Sequence, residues 1–233
     1  MREWWTYALS DFLMFAPRTY YRLFELYNAA LWPAHLAALV LGMALLVVSL
    51  RPTPWAARSA CAMLAACWLW VAWAFHLQRY ATINWAANWF AAAFAIEGVL
   101  LLGAAAFGAR LRTSASGRGV RYTGLGLLLF AVLVQPWFGV VLGRPWTQAE
   151  IFGIAPDPTA VGTLGVLLLL RFDAQAGRPR QTRLLALLLW PIPVLWCLIS
   201  GATLWTMQAP DALLLPLAAL LALLAVWQAR TPG

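Results

Sequence analysis

The chain has 233 residues, 64% hydrophobic and 10% charged, with a formal net charge of +8 and a pI near 10.3. A mean hydropathy of +0.76 lies far outside the range of water-soluble domains, so lipid or a neighbouring helix is the solvent for most residues. This excludes a soluble catalytic or nucleotide-binding domain. The positive charge, which would point to nucleic acid in a soluble protein, is read instead as cytoplasmic retention of loops and contact with the lipid bilayer.

Residues 1–30 form an N-terminal segment. Between Ser10 and Ala30, Phe12, Phe15, Tyr20, Phe24 and Tyr27 are interleaved with Asp11, Arg18, Arg22 and Glu25. The mixture predicts an amphipathic helix lying in the membrane interface. Lacking an uncharged apolar core and a small-residue cleavage site, it does not read as a removable signal peptide. Carrying it across would cost about 2.5 to 3.5 kcal/mol for each centrally placed charge.

Seven apolar stretches follow within residues 31–230: Leu31 to Leu50, Trp55 to Leu77, Trp85 to Phe107, Tyr122 to Gly143, Pro158 to Leu170, Leu184 to Trp205 and Ala212 to Trp227. A crossing needs about 20 apolar residues for about 30 Å of hydrocarbon. The expected fold is therefore an all-α membrane protein, with about seven transmembrane helices in one domain behind the interfacial segment. The fifth stretch is the weakest, since its uninterrupted part rises only roughly 20 Å as a helix.

All sixteen cationic residues are arginines, and their placement gives the orientation. Arg110, Arg112, Arg118 and Arg121 fall between the third and fourth stretches, and Arg171, Arg178, Arg180 and Arg183 between the fifth and sixth. Both loops belong in the cytoplasm, joined there by Arg51, Arg58 and Arg230, whereas Arg2, Arg18, Arg22, Arg79 and Arg144 fall outside. The N-terminus is then periplasmic and the C-terminus cytoplasmic. If the fifth stretch did not cross, the two arginine-rich loops could not share a side.

Aromatic and polar residues collect near the outer ends: Trp4, Trp5, Trp32, Trp85, Trp89, Trp137, Trp146 and Trp205, with Tyr80, Asn84 and Asn88. They read as an interfacial aromatic belt or as the vestibule of a ligand site. Residues 135–165, QPWFGVVLGRPWTQAEIFGIAPDPTAVGTLG, interrupt the pattern with prolines and glycines. Thr147 and Glu150 form a capping-box pair predicting a short helix from Gln148 to before Pro156, and Asp157 with Pro158 reads as the N-cap of the fifth stretch. Gly162 and Gly165 would let helices approach closely.

Interrupted, short spans are where membrane transporters expose backbone groups to solutes. The candidate ligand-binding residues are accordingly Glu97, Asn84, Asn88, Gln135 and Asp157. Glu97, costly at mid-span unless protonated or paired, is taken to descend the third stretch on the side of the two asparagines, with Gln135 as a possible neighbour. They are expected to share a cavity wall with Thr147 to Thr159.

His35 and His76 are the two histidines, at matched depth on adjacent stretches, where a metal or a b-type haem could be ligated. Cys61, Cys67 and Cys197 lie inside apolar stretches without a CxxC pair and read as buried packing thiols. No HExxH, acid pair or nucleophile elbow marks hydrolytic chemistry. There is no convincing internal repeat.

Two segments, WWTYALSDFLMFAPRTYYRLFELYNAALWPA at Trp4 to Ala34 and FGIAPDPTAVGTLGVLLLL at Phe152 to Leu170, resemble a family of uncharacterised polytopic bacterial inner-membrane proteins. The resemblance implies an inner-membrane location and a fold using most of the chain. It carries no activity, substrate or catalytic residue.

The leading expectation is a protein that binds or passes a small solute or ion through an outward-facing polar and aromatic cavity. The alternatives are a membrane redox or accessory subunit, with haem on the two histidines, and a non-catalytic sensor or assembly factor, either as a homo-oligomer or as part of a larger complex.

Overall fold

A computed structural model describes residues 15–107, 111–113, 117–172 and 179–229. Trp4, Trp5, Asp11 and Phe12 lie outside the described residues. Helix α1, Pro17–Leu31, buries Tyr20, Leu23, Phe24 and Tyr27 and turns Arg18, Arg22 and Leu26 outward. The 3- and 4-residue spacing of its buried side chains is that of one helical face. Its proline at the start lacks only an N–H that a first turn leaves unbonded anyway. Helix α2, Ala34–Ser49, follows after a bend of 94°. Pro33 lies in that break, with no N–H to continue the ladder of α1.

Thr53 caps α3, Pro54–Trp70, by accepting from the Ala56 N–H at 3.2 Å. The helix widens into a π segment, Val71–Leu77, then a 3₁₀ turn, Tyr80–Thr82. Helix α4, Ala87–Phe107, returns along α3. A three-residue strand β1, Leu111–Thr113, leads to α5, Arg118–Leu129, a second π segment, Phe130–Val134, and α6, Gln135–Val141. After a 3₁₀ turn at Trp146–Gln148 come α7, Pro156–Leu169, and β2, Leu170–Phe172. Helices α8, Pro179–Leu188, α9, Pro191–Thr206, and α10, Leu214–Gln228, complete the described chain.

The chain is therefore predominantly α-helical. Among the described residues, four helical rods are long and apolar enough to cross a membrane: Pro54–Thr82, Ala87–Ala106, Arg118–Val141 and Arg183–Thr206; α1 and α2 add a fifth only when counted as one span across their 94° bend. Of the seven expected crossings, those carried by α2, α7 and α10 have 16, 14 and 15 helical residues. At about 1.5 Å per residue each falls short of about 30 Å of hydrocarbon.

Helix α7 is the centre of the molecule. Every residue from Ile151 to Leu170 is buried, against α5, α9, α10 and α3. Its contact with α5 is backbone to backbone: a Cβ on Gly165 would stand 2.7 Å from the Gly124 carbonyl oxygen, and one on Gly124 2.8 Å from that of Gly165. Buried hydroxyls on α7 are satisfied along the helix. Thr163 donates to the Thr159 carbonyl at 2.7 Å and accepts from the Trp68 indole at 2.8 Å.

The two ends of the bundle differ. At one end β1 and β2 pair antiparallel, Arg112 opposite Arg171, and Arg58 Nε donates to the Ala105 carbonyl at 2.7 Å. The ribbon brings both arginine-rich connections together. The opposite end holds α1, the turn around Tyr80, and the connections before α7 and before α10.

Candidate functional site

Residues 142–155 form a folded strap, without the helix expected from Gln148. Only Trp146–Gln148 turns, as 3₁₀, and turns follow to Ala155. Glu150 is drawn inward and is not available to cap. The strap is instead pinned from outside: Asn28 Nδ2 donates to the carbonyls of Thr147 and Ala149, each at 2.9 Å, and the Tyr27 hydroxyl to that of Ile154 at 3.3 Å. Gly153, with φ +78°, takes the left-handed turn that a side chain resists, and its N–H reaches Thr159 Oγ1 at 3.0 Å.

Pro156 opens α7, with Ala155 as N-cap, so Asp157 sits inside the first turn and not at the N-cap. Its carboxylate turns away from its own backbone. Oδ1 accepts from the Trp196 indole N–H at 2.8 Å and Oδ2 from the Ser200 hydroxyl at 2.7 Å, both on α9. Glu150 lines the same small cavity as this carboxylate and feels its charge.

Beside this pair lies a second charged group. Arg144 Nη2 holds Asp211 Oδ2 at 2.5 Å, its Nη1 stands 3.9 Å from Glu150, and its guanidinium lies 4.7 Å from the Tyr21 ring centroid. Arg144, Glu150, Asp157 and Asp211, with Gln135, line a cavity of about 20 Å³. That is enough for one water. Three atoms are buried without a hydrogen-bond partner: Gln135 Oε1, Arg144 Nη1 and Asp211 Oδ1.

The electrostatics follow from counting. Three carboxyl groups face one guanidinium, which would leave two uncompensated negative charges in a nearly dry site. Glu150, on the strap outside the membrane-spanning helices, meets this by holding its proton: desolvation first, then the Asp157 charge, raise its pKa well above the ordinary carboxylate value, outweighing Arg144.

Of the residues read from sequence, Gln135 and Asp157 meet in this cavity. Asn84, Asn88 and Glu97 do not line it. Asn84 is half-buried and accepts from the Ala86 N–H at 3.0 Å, holding the turn into α4, and Asn88 is exposed. Glu97 is buried with neither oxygen bonded. Nine residues after Asn88 is two and a half helical turns, so Glu97 lies on the opposite face of α4, not below the asparagines. It has no bond to Gln135.

The histidines are engaged separately. His35 Nε2 is 3.2 Å from Asn28 Oδ1 and its ring stacks on Trp32. His76 is fully buried in an aromatic box, with Phe94 at 4.4 Å and Trp196 at 5.0 Å between centroids, and neither nitrogen has a partner. Rings packed that closely leave no room for a macrocycle on its nitrogens. The three cysteines are buried and free. Trp32, Trp85, Trp89, Trp137, Trp146 and Trp205 are all exposed, as a belt at the headgroups requires, and do not line the cavity.

Arg144, Glu150 and Asp211 are the members that sequence reasoning missed. The signal was their scarcity: three of the chain's few charged residues fall in connections between apolar helices.

No curated protein and no solved structure matches the chain. A family model does, over residues 18–232, which takes in both the strap and the helices that enclose the acid cluster; the chain thus belongs to DUF6064, a family of unknown function.

Proposed function

We propose that this is a seven-crossing bacterial inner-membrane protein, N-terminus periplasmic and C-terminus cytoplasmic, that binds and releases a proton or small cation at the Glu150–Asp157 pair and thereby binds or passes a small solute or ion. The carrying observation is the acid cluster: three carboxyl groups, one guanidinium and a water-sized cavity with unbonded polar atoms, packed at the start of the fully buried α7. Buried acid pairs of this kind hold one negative charge more easily than two, so occupancy by a proton or cation is coupled to the state of the site.

The orientation is supported by the β1–β2 pairing, which gathers the arginine-rich connections at one end, away from the acid cluster. The short α2, α7 and α10 cross as parts of a bundle whose ends are closed by polar connections, α7 shielded from lipid throughout.

Proteoliposomes test the reading. Flux of protons or monovalent cations, followed with an internal pH dye and by isotope uptake, is expected in the wild type and lost in Asp157→Asn and Glu150→Gln. Flux that is absent from the wild type, or indifferent to both substitutions, refutes it.

A further inference from the structure

A second feature lies at the same end of the bundle but on its outside. Helix α1 and the turn that follows the first π segment enclose an open groove of about 420 Å³, lined among others by Arg18, Arg22, Arg79, Leu23, Leu26 and Ile83. Arg22 is engaged by Glu25, one turn on. Arg18 and Arg79 have no carboxylate partner among the described residues. Among the described residues, the groove therefore carries two guanidinium charges that no carboxylate engages.

Its other wall is apolar. Leu26 is 50% exposed on the same face of α1 as Arg22, and Ile83 is half-buried opposite it. A small free anion would use the arginines and gain nothing from this wall. An amphiphile would use both, its charged group on the guanidinium forks and its first methylenes along Leu26 and Ile83. The setting matches, because α1 is bent 94° from α2 and presents a charged face beside an apolar one, the form of a helix that lies along a bilayer surface.

We propose that this groove is a binding site for the headgroup of an anionic phospholipid, its phosphodiester between Arg18 and Arg79 with Arg22 at the rim, and its acyl chains running out past Leu26. The site is independent of the acid cluster. It ties α1, and through Asn28 and Tyr27 the strap, to the lipid surface.

The test uses the full-length protein, delipidated in detergent, with phosphatidylglycerol and phosphatidylcholine as probes and native mass spectrometry as readout. Phosphatidylglycerol is expected to bind in preference to phosphatidylcholine, and the variant Arg18→Gln/Arg22→Gln/Arg79→Gln to bind it roughly 30-fold more weakly, the effect of the Arg18 and Arg79 charges on an anionic lipid, Arg22 being engaged by Glu25. A control with the same charge loss at the opposite end, Arg118→Gln/Arg121→Gln/Arg171→Gln, should retain it. If the triple variant does not fold, Arg79→Glu alone is expected to give a comparable loss. The proposal is overturned by equal binding of the two lipids, by equal loss in the control, or by soluble glycerol phosphate competing at the same concentration as the lipid, which would make the groove a site for free anions.

Discussion

Asp157 shows how much one side chain can hold in an apolar bundle. Removing its carboxylate leaves the Trp196 N–H and the Ser200 hydroxyl buried and unpaired, at about 1–3 kcal/mol for each orphaned group. Asp157→Ala should therefore lower the thermal unfolding temperature in detergent, and more than Asp157→Asn, which keeps an acceptor. Arg144→Gln strands Asp211 and should cost about 3 kcal/mol, read the same way. Glu150 makes the pH dependence predictable in sign. Its pKa is raised in the folded chain, so above about pH 4.3 an unfolded chain releases a proton that the folded chain keeps. The unfolded state then binds fewer protons, and stability falls as pH rises from there to the raised value. Glu150→Gln should flatten that part of the curve, so that its unfolding temperature changes less between pH 5 and pH 8 than the wild type's; an identical slope in the two would contradict the assignment.

At the scale of elements, the α5–α7 crossing decides whether α7 can occupy the core. Carbonyl oxygens cannot swing aside as a flexible side chain does, and the Gly124 and Gly165 contacts are with each other's backbone. Gly165→Ala is expected to destabilise by about 1–3 kcal/mol by forcing the helices apart. Gly126→Ala, two residues from Gly124 on the same helix with nothing within 4 Å, should be neutral or slightly stabilising, since alanine is the better helix former. A comparison of unfolding midpoints checks both. The strap is an element of a different kind, lacking regular structure and secured by side chains from α1 and α7; Asn28→Ala releases two of its carbonyls and should increase proteolysis between Trp146 and Ala155.

For the whole molecule, the two ends make opposite predictions. Reporter fusions at Gly117 and Arg180 should be active only in the cytoplasm, and a fusion at Gly143 only in the periplasm. Since Cys61, Cys67 and Cys197 are buried, a membrane-impermeant thiol reagent should leave the folded wild type unlabelled. Asn88→Cys should label from outside, and Asp157→Cys, inside the bundle, should not. Much of this level was already legible in the linear chain. Hydropathy located the helical stretches because lipid imposes the same apolar requirement on every crossing segment, and α1 appeared as amphipathic because Tyr20, Phe24 and Tyr27 are interleaved with Arg18, Arg22 and Glu25. What composition determined by itself was therefore the solvent, the helical class and the approximate rods. Tertiary structure alone decided which polar residues meet. Arg144 and Asp211 are 67 residues apart, and Asp157 and Trp196 are 39, distances along the chain over which no periodicity carries information. Thr147 and Glu150 read locally as a capping box, yet Glu150 serves a carboxylate and a guanidinium that only the folded bundle brings beside it. Local pattern governs a residue that answers to its own helix and to lipid; a buried charge answers to whichever partners the packing supplies.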